Sequence, residues 1–208
     1  MNTFNKILSR VTLVLGVTFM SAFQLYADDW KEIMYADPTI FVENGKYYLT
    51  GTRNQEPQGF AILESTDLEH WTVPDGTSLQ LILRKGDQTY GEKGFWAPQY
   101  FKDKRTYYFT YTANEQTVIA SSKSVFGPFR QKEVKPVDAS AKNIDSFLFK
   151  DDDGKYYLYH VRFNKGNYLW VAEFDIKKGS IKPETLKQCM DCTAVSYTHL
   201  RAHETDQY

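Results

Sequence analysis

The sequence predicts an all-β fold assembled from repeated sheets, and three observations support this prediction. Aromatic residues make up 16% of the chain, with 15 Tyr and 14 Phe, and aromatic side chains favour strands. An Asn44-Gly45 pair separates two strand-like runs, which is a strong hairpin signal because both residues accept positive φ. Similar segments begin at residues 37, 97 and 145, and repeats of about 40–50 residues with several short strands are typical of propeller blades.

Each repeat is predicted to begin with a hairpin. In the first repeat, strands are predicted over residues 39–42 and 46–52, preceded by Asp37-Pro38. The second repeat starts at Ala97-Pro98 and the third at Asp145-Ser146. Third strands are predicted at residues 60–65, 118–122 and 169–174. Each unit is therefore predicted to be a four-stranded antiparallel sheet that stacks on its neighbours around an axis.

The two ends of the chain differ from this pattern. Residues 1–27 combine a basic start, an apolar core and a small residue before two aspartates, which predicts a cleaved secretory signal peptide. An uncleaved membrane anchor is the alternative. Residues 28–193 form the predicted partial propeller domain, whereas residues 194–208 lack strand alternation and indicate a foreign or frame-shifted end, or else a genuine irregular terminus. The mature protein is expected to be secreted or periplasmic and free of the membrane.

Charge and acidic motifs argue against two classes of partner. The net charge is −1 and no basic stripe favours nucleic acid. The run Asp151-Asp152-Asp153-Gly154 is acidic enough for calcium, but an EF-hand loop in this register needs Asp and Glu where Phe149 and His160 stand. Asp153-Gly154 is therefore predicted to be a hairpin turn, and no metal ligand is assigned.

Two acidic residues occupy the same position in their repeats. Asp37 starts the first repeat and Asp145 starts the third. The first strand of every propeller blade lines the central axis, so both side chains are expected at the mouth of one funnel. Two carboxylates directed at one pocket suit glycoside hydrolysis, which needs an acid to protonate the leaving oxygen and a base to activate water.

Four segments resemble glycoside hydrolase family 43. They are residues 35–40 (Tyr-Ala-Asp-Pro-Thr-Ile), 95–98 (Phe-Trp-Ala-Pro), 143–146 (Asn-Ile-Asp-Ser) and 65–71 (Ser-Thr-Asp-Leu-Glu-His-Trp). The resemblance covers about residues 29–193 and implies a five-bladed β-propeller, of which this chain holds about three blades. It also implies an inverting glycosidase of the α-L-arabinofuranosidase, β-xylosidase or endo-arabinanase type, acting on arabinose- and xylose-containing polysaccharides.

The resemblance also implies catalytic roles by position. Asp37 would be the general base that deprotonates the attacking water. Asp145 would orient the general acid and raise the pKa of that acid, since a neighbouring carboxylate disfavours ionisation. The family's general acid is a Glu at a later blade start, usually within Glu-Gly-Pro, and this sequence contains no such motif. The fragment itself is therefore expected to be inactive. No cofactor is required, and a structural calcium ion in the central channel, as in some relatives, stays open.

Five further residues are candidates for substrate binding. Trp96 precedes the second repeat, where its flat ring suits stacking on a sugar, with packing between blades as the alternative. Arg162 and His160 lie at the end of a predicted strand in the third repeat. Arg162 would bind sugar hydroxyls, pair with the third-repeat aspartate or remain a surface charge. Tyr35 and Phe95 flank the predicted funnel and would shape the subsite.

Two other functions fit parts of the pattern. A non-catalytic carbohydrate-binding propeller would keep the aromatic residues and lack the acid. The related fold of invertases and levansucrases expects Asn-Asp-Pro-Asn-like chemistry at the first strand, where this chain has Ala36-Asp37-Pro38-Thr39. A glycosidase with a pentose-containing poly- or oligosaccharide substrate is the leading prediction.

Overall fold

The computed structural model describes residues 33–74, 79–163 and 166–192, with the backbone alone for the last two. The signal peptide predicted at residues 1–27 and the anomalous tail predicted at residues 194–208 lie outside the described residues. In the described part of the chain, no helix is both long enough and apolar enough to cross a membrane.

Strands dominate the described residues and confirm the prediction of an all-β fold. In chain order they are β1 (Ala36–Glu43), β2 (Lys46–Thr52), β3 (Gly59–Ala61), β4 (Leu63–Ser65), β5 (Leu81–Arg84), β6 (Trp96–Asp103), β7 (Thr106–Ala113), β8 (Gln116–Ser122), β9 (Asn143–Lys150), β10 (Tyr156–Phe163), β11 (Asn167–Asp175), β12 (Ser180–Ile181) and β13 (Lys187–Cys192). A short 3₁₀ helix (Pro183–Thr185) lies between β12 and β13.

These strands form three consecutive propeller blades. The first blade pairs β1, β2 and β4, the second pairs β6, β7 and β8, and the third pairs β9, β10 and β11, all antiparallel. In the third blade, β12 and β13 both pair with β11 and supply the predicted fourth strand. In the first two blades the fourth strand is reduced to single bridges, Glu64 with Thr72 and Ser121 with Arg130. The prediction of four full strands is wrong for those blades because the chain turns immediately after β4 and β8.

The run predicted as one strand at residues 60–65 is divided between two sheets. β3 pairs with β5, whereas β4 pairs with β2. Phe60, Ala61 and Ile62 are buried in succession, so this stretch has no exposed face. A run enclosed on both sides need not keep the two-residue period of a half-exposed strand. The chain accordingly changes sheet at Ile62.

An aromatic core joins the first and second blades. Phe41 of β1 stacks on Tyr100 of β6, with ring centroids 5.3 Å apart. Phe60 contacts Phe109 of β7 at 5.2 Å. The buried members of this core are Tyr48, Phe60, Ile62, Ile82, Leu83, Phe95, Tyr100, Phe109, Tyr111, Ala113, Val118, Ala120, Val125 and Phe129. A large part of the aromatic content of the sequence therefore packs in this core.

A second core joins the second and third blades, and a side-chain amide fixes their register. Gln99 of β6 accepts a hydrogen bond from the backbone N–H of Leu148 at 2.7 Å and donates to the carbonyl of the same residue at 3.3 Å. The buried apolar members are Ile119, Val137, Leu148, Leu158, Ala172, Phe174 and Ile181. The Gln99 side chain thus links β6 to β9 through two hydrogen bonds between separate sheets.

The outer faces of this three-blade row carry exposed apolar side chains. On the first blade, Ile40 and Val42 are exposed and alternate with the half-buried Thr39, Phe41 and Glu43 of β1. On the third blade, Phe147 and Phe149 are likewise exposed along β9. In a closed propeller, neighbouring blades would cover these two sheet faces. Their exposed apolar side chains are therefore consistent with part of a closed ring.

Candidate active site

The same backbone distortion occurs at the start of all three blades. The pairing of β1 with β2 shifts register between Ala36 and Thr39, and β6 and β9 show the same shift at their starts. At each shift one residue adopts a left-handed conformation: Asp37 has φ 47°, Ala97 has φ 44° and Asp145 has φ 56°. This conformation is costly for residues other than glycine, and β-bulges turn a side chain away from its regular direction. The three equivalent positions identified in the sequence are therefore three equivalent bulges.

Two threonine hydroxyls connect these bulges from blade to blade. Thr52, the last residue of β2, accepts a hydrogen bond from the backbone N–H of Ala97 at 2.8 Å and donates one to the Oδ2 of Asp37 at 2.8 Å. Thr112 of β7 accepts a hydrogen bond from the backbone N–H of Asp145 at 3.1 Å. Thr112 pairs across the strands with Trp96, the residue before Ala97, so the contacts of the two threonines run from Asp37 past Ala97 to Asp145, and we call these three positions the bulge row. Sequence reasoning missed both threonines, although alignment of the repeats on their bulges places them at the same position.

Trp96 lies beside this row with part of its ring accessible. It immediately precedes the bulge of the second blade, and 39% of its surface is exposed. Its indole ring passes close to Gly94, where an added Cβ would lie 3.1 Å from the ring. The Trp96 indole is therefore packed against the backbone at Gly94 on one side and remains partly exposed beside the bulge row.

Tyr35 is half-buried against the first blade. A Cβ added to Gly51 would lie 2.6 Å from the Cβ of Tyr35 and 2.8 Å from the carbonyl oxygen of Ala36. Glycine at this position therefore lets the backbone before Asp37 pass close to β2. Burial raises the pKa of the Tyr35 phenol, and the charge of Arg53 partly offsets this rise.

The structure corrects the predicted subsite role of Phe95. The side chain is buried, and its ring stacks on Tyr111 with 5.7 Å between centroids and 9° between planes. Phe95 precedes the bulge of the second blade by two residues, as Tyr35 does in the first. The two positions differ because tyrosine faces Phe95 across the sheet, whereas glycine faces Tyr35.

The predicted substrate contact of His160 is also corrected. His160 lies opposite the bulge of β9 and is only 1% exposed, so a sugar does not reach the imidazole in this arrangement. Within the described residues neither ring nitrogen makes a hydrogen bond of good geometry, and the backbone of Leu158 has only a minor effect on the imidazole. Burial, aided by the positive charge of Arg162, lowers the pKa of His160 to about 4. The imidazole is therefore neutral at ordinary pH.

This buried histidine predicts acid-sensitive stability. The unfolded chain has a histidine pKa of about 6.5 and takes up a proton before the folded protein does, so stability is lost as pH falls below about 6.5. Between pH 7 and pH 5 the loss is about 2 kcal/mol in unfolding free energy. Urea unfolding at both pH values measures it. His160→Phe, chosen because the equivalent position of the second blade holds the aromatic Tyr111, should reduce the difference.

The exposed His70 provides the contrasting control for that measurement. A hydrogen bond to Asp67 raises the pKa of His70, so its contribution to stability runs in the opposite direction with pH. His70→Asn is therefore expected to leave the acid sensitivity in place. An equal loss of stability on acidification in wild type and His160→Phe would contradict the assignment.

Arg162 is neither a surface charge nor an open sugar contact. Its guanidinium lies 3.0 Å from the carboxylate of Asp138 and donates a hydrogen bond to Ser140 at 2.9 Å. It also lies over the ring of Trp170, 5.6 Å from the centroid. The Arg162 and Asp138 side chains are only 11% and 10% exposed, so these contacts form an interior ion pair. The sequence did not identify Asp138 as the partner of Arg162, because Asp138 lies in the connection before β9 and strand periodicity does not describe that connection.

Other acidic and open features lie apart from the bulge row. The backbone N–H of Gly154 donates to the carbonyl of Asp151 at 2.9 Å, which confirms the predicted turn between β9 and β10. Within residues 33–74, 79–163 and 166–192, no three His, Cys, Asp or Glu side chains lie close enough to hold a metal ion. A groove between the outer strands of the second and third blades is lined in part by Tyr108, Lys132 and Lys178.

Comparisons with known proteins agree with this arrangement. The sequence profile of "Glycosyl hydrolases family 43" matches residues 31–205. The chain is 28% identical over 190 residues to extracellular endo-α-(1→5)-L-arabinanase 1 of Bacillus subtilis, covering 84% of this chain and 57% of that protein. It is 29% identical over 157 residues to a xylosidase/arabinosidase of Butyrivibrio fibrisolvens, covering 69% of this chain and 29% of that protein.

A solved structure shows the same fold. An endo-1,4-β-xylanase from Bacteroides thetaiotaomicron superposes with a TM-score of 0.68 and 41% identity, covering 75% of this chain and 52% of that chain. The chain therefore spans roughly half the length of this neighbour and of the arabinanase. Because the profile match takes in most of the sequence, the protein belongs to glycosyl hydrolase family 43.

Proposed function

We propose that the complete protein is an exported, inverting glycoside hydrolase that cleaves arabinose- or xylose-containing plant polysaccharides or oligosaccharides. The observation that carries this proposal is the bulge row, in which Thr52 links Asp37 to Ala97, and Thr112, paired with Trp96 beside Ala97, links the second blade to Asp145. Family membership supports a glycosidase, since paired carboxylates across a sugar-binding funnel perform glycoside hydrolysis.

In this mechanism Asp37 acts as the general base. It removes a proton from water as that water attacks the anomeric carbon from the face opposite the leaving group. Asp145 orients the general acid and disfavours its ionisation. The acid, a Glu supplied by a later blade, protonates the leaving oxygen. An inverting enzyme places base and acid about 6.5–9.5 Å apart so that water fits between base and sugar. The reaction uses carboxyl groups and water alone, so we expect no cofactor requirement.

The substrate class is inferred from the relatives and from Trp96. The relatives include an arabinanase, a xylosidase/arabinosidase and an endo-xylanase. Trp96 offers a partly exposed aromatic face beside the bulge row, which suits stacking on a pentose ring. Export is supported by the predicted signal peptide at residues 1–27 and by the extracellular arabinanase among the relatives. Structural calcium in the central channel remains a prediction.

A carbohydrate-binding propeller without catalysis is the second candidate for these 208 residues. The absence of Glu-Gly-Pro from these 208 residues favours it. The exposed apolar faces on the first and third blades also support the expectation that this chain alone does not turn over substrate.

The test compares the 208-residue chain with the full-length protein from the native gene. Both are incubated with linear arabinan, xylan and aryl pentosides, and the anomeric configuration of the first product is followed by proton NMR. We expect the full-length protein to release inverted product and the 208-residue chain to release none. Retained configuration would contradict the inverting mechanism. Binding without hydrolysis by the full-length protein would favour the binding module.

A further inference from the structure

We propose that Thr52 is a positioning residue for Asp37, holding the carboxylate of the general base in its working orientation. This inference rests on the proposed function, because it assigns to Thr52 a part in the reaction of Asp37. Thr52 is buried at the end of β2, whereas Asp37 is exposed at the bulge of β1. An enclosed hydroxyl thus supports a carboxylate that faces solvent.

The direction of the hydrogen bonds follows from the donors available. The Thr52 oxygen accepts the backbone N–H of Ala97, so its own proton is available for a second contact. An ionised carboxylate can only accept, and the Thr52 oxygen lies 2.8 Å from the Oδ2 of Asp37. Thr52 therefore donates its hydroxyl proton to Asp37. The hydrogen bond from the backbone N–H of Ala97 to the Thr52 oxygen orients the hydroxyl for this contact.

The opposite oxygen of the carboxylate is left for water. Within residues 33–74, 79–163 and 166–192, the Oδ1 of Asp37 has no hydrogen-bond partner. One oxygen is therefore anchored to the protein while the other faces solvent. A general base needs this arrangement, because the proton it removes must lie within hydrogen-bonding reach of a fixed acceptor.

Comparison of the blades separates this role from ordinary packing. Thr112 occupies the equivalent position in the second blade and likewise accepts a backbone N–H from the following blade. The bulge residue of its own blade is Ala97, which has no carboxylate to accept a hydrogen bond. In the third blade the equivalent position is Val161, which has no hydroxyl. Both threonines therefore accept a backbone N–H from the following blade, but of the two only Thr52 has a carboxylate at its blade start to which it can donate.

The experiment measures kcat and KM of the full-length enzyme with Thr52→Val and Thr52→Ser. Thr52→Val keeps the shape of the side chain but removes the donor, and we expect kcat to fall about tenfold with KM changed less than about twofold. Thr52→Ser restores the hydroxyl and should recover most of kcat. Thr50→Val is the matched control, since the Thr50 hydroxyl is buried on the same strand with no partner in the described part of the chain and its removal should leave activity unchanged.

A double-mutant cycle with Asp37→Asn distinguishes positioning from general damage. Because Thr52 acts through the Asp37 carboxylate, Thr52→Val should cause little further loss of residual activity in the Asp37→Asn background. A second tenfold loss there would overturn the inference, as would wild-type kcat in Thr52→Val. Thr52→Ala, which removes the same donor without the added methyl contact, serves if the valine variant fails to fold. Full activity in Asp37→Asn alone would remove the general-base assignment and this inference with it, whereas absence of glycosidase activity in the wild-type full-length protein would overturn the proposed function.

Discussion

Asp37→Asn is expected to lower kcat/KM of the full-length enzyme by about 10²–10⁴-fold, the usual contribution of a general base. Asparagine has nearly the same size, and its amide oxygen can still accept the Thr52 hydroxyl that now lies 2.8 Å from the carboxylate. The fold should therefore persist while the ability to remove a proton from water is lost. Initial rates on linear arabinan, xylan and aryl pentosides, with kcat and KM separated, measure the effect.

The matched control is Asp152→Asn in the turn between β9 and β10. It makes the same chemical change at an exposed carboxylate away from the bulge row. We expect its kcat/KM to stay within about twofold of the wild type, because an exposed turn carboxylate contributes little to activity or stability. If Asp37→Asn behaved like Asp152→Asn, another group would be the base and the assignment of Asp37 would be wrong.

The repeated architecture could be predicted from the sequence because its signals are local. The Asn44-Gly45 turn does lie between β1 and β2, and the three blade starts lie at the predicted positions. Strand alternation and turn chemistry involve residues a few positions apart, so a single sequence records them directly. The position of the candidate site at the blade starts follows from the same repeats.

The bulges themselves could not be predicted, although they organise the site. Asp37, Ala97 and Asp145 adopt left-handed backbone conformations, but aspartate and alanine do not share a preference for that region. The conformation is imposed by register shifts against the second strand of each blade and by the threonine contacts between blades. These are non-local constraints, and only the folded chain brings them together.

The sequence also does not show what covers the side chains at the strand ends. His160 and Arg162 alternate with Val161, so the sequence places them on one face without identifying what covers that face. In the structure they share a face with Leu158, which packs in the core between the second and third blades. Their polar atoms are therefore enclosed, and Arg162 finds its partner in a connection that strand periodicity does not describe.

Asp138→Asn is expected to lower the unfolding free energy by about 3 kcal/mol, because it leaves the interior charge of Arg162 without its anion. The two charged groups are 3.0 Å apart, and about nine-tenths of each side chain is buried. Asparagine keeps the size of the side chain, so the loss reports the missing charge rather than a cavity. Urea-induced unfolding near neutral pH measures the difference.

Asp87→Asn provides a control with the same pair of residue types at the surface. Asp87 accepts hydrogen bonds from Arg130 with both oxygens, but these side chains are 43% and 47% exposed, and surface pairs contribute about 0–1 kcal/mol. The double variant Asp138→Asn/Arg162→Met should recover part of the stability, because it removes the stranded charge as well. Equal small effects of Asp138→Asn and Asp87→Asn would mean that water reaches Arg162. The interior position of the Arg162–Asp138 pair would then add nothing to stability beyond what a surface ion pair contributes.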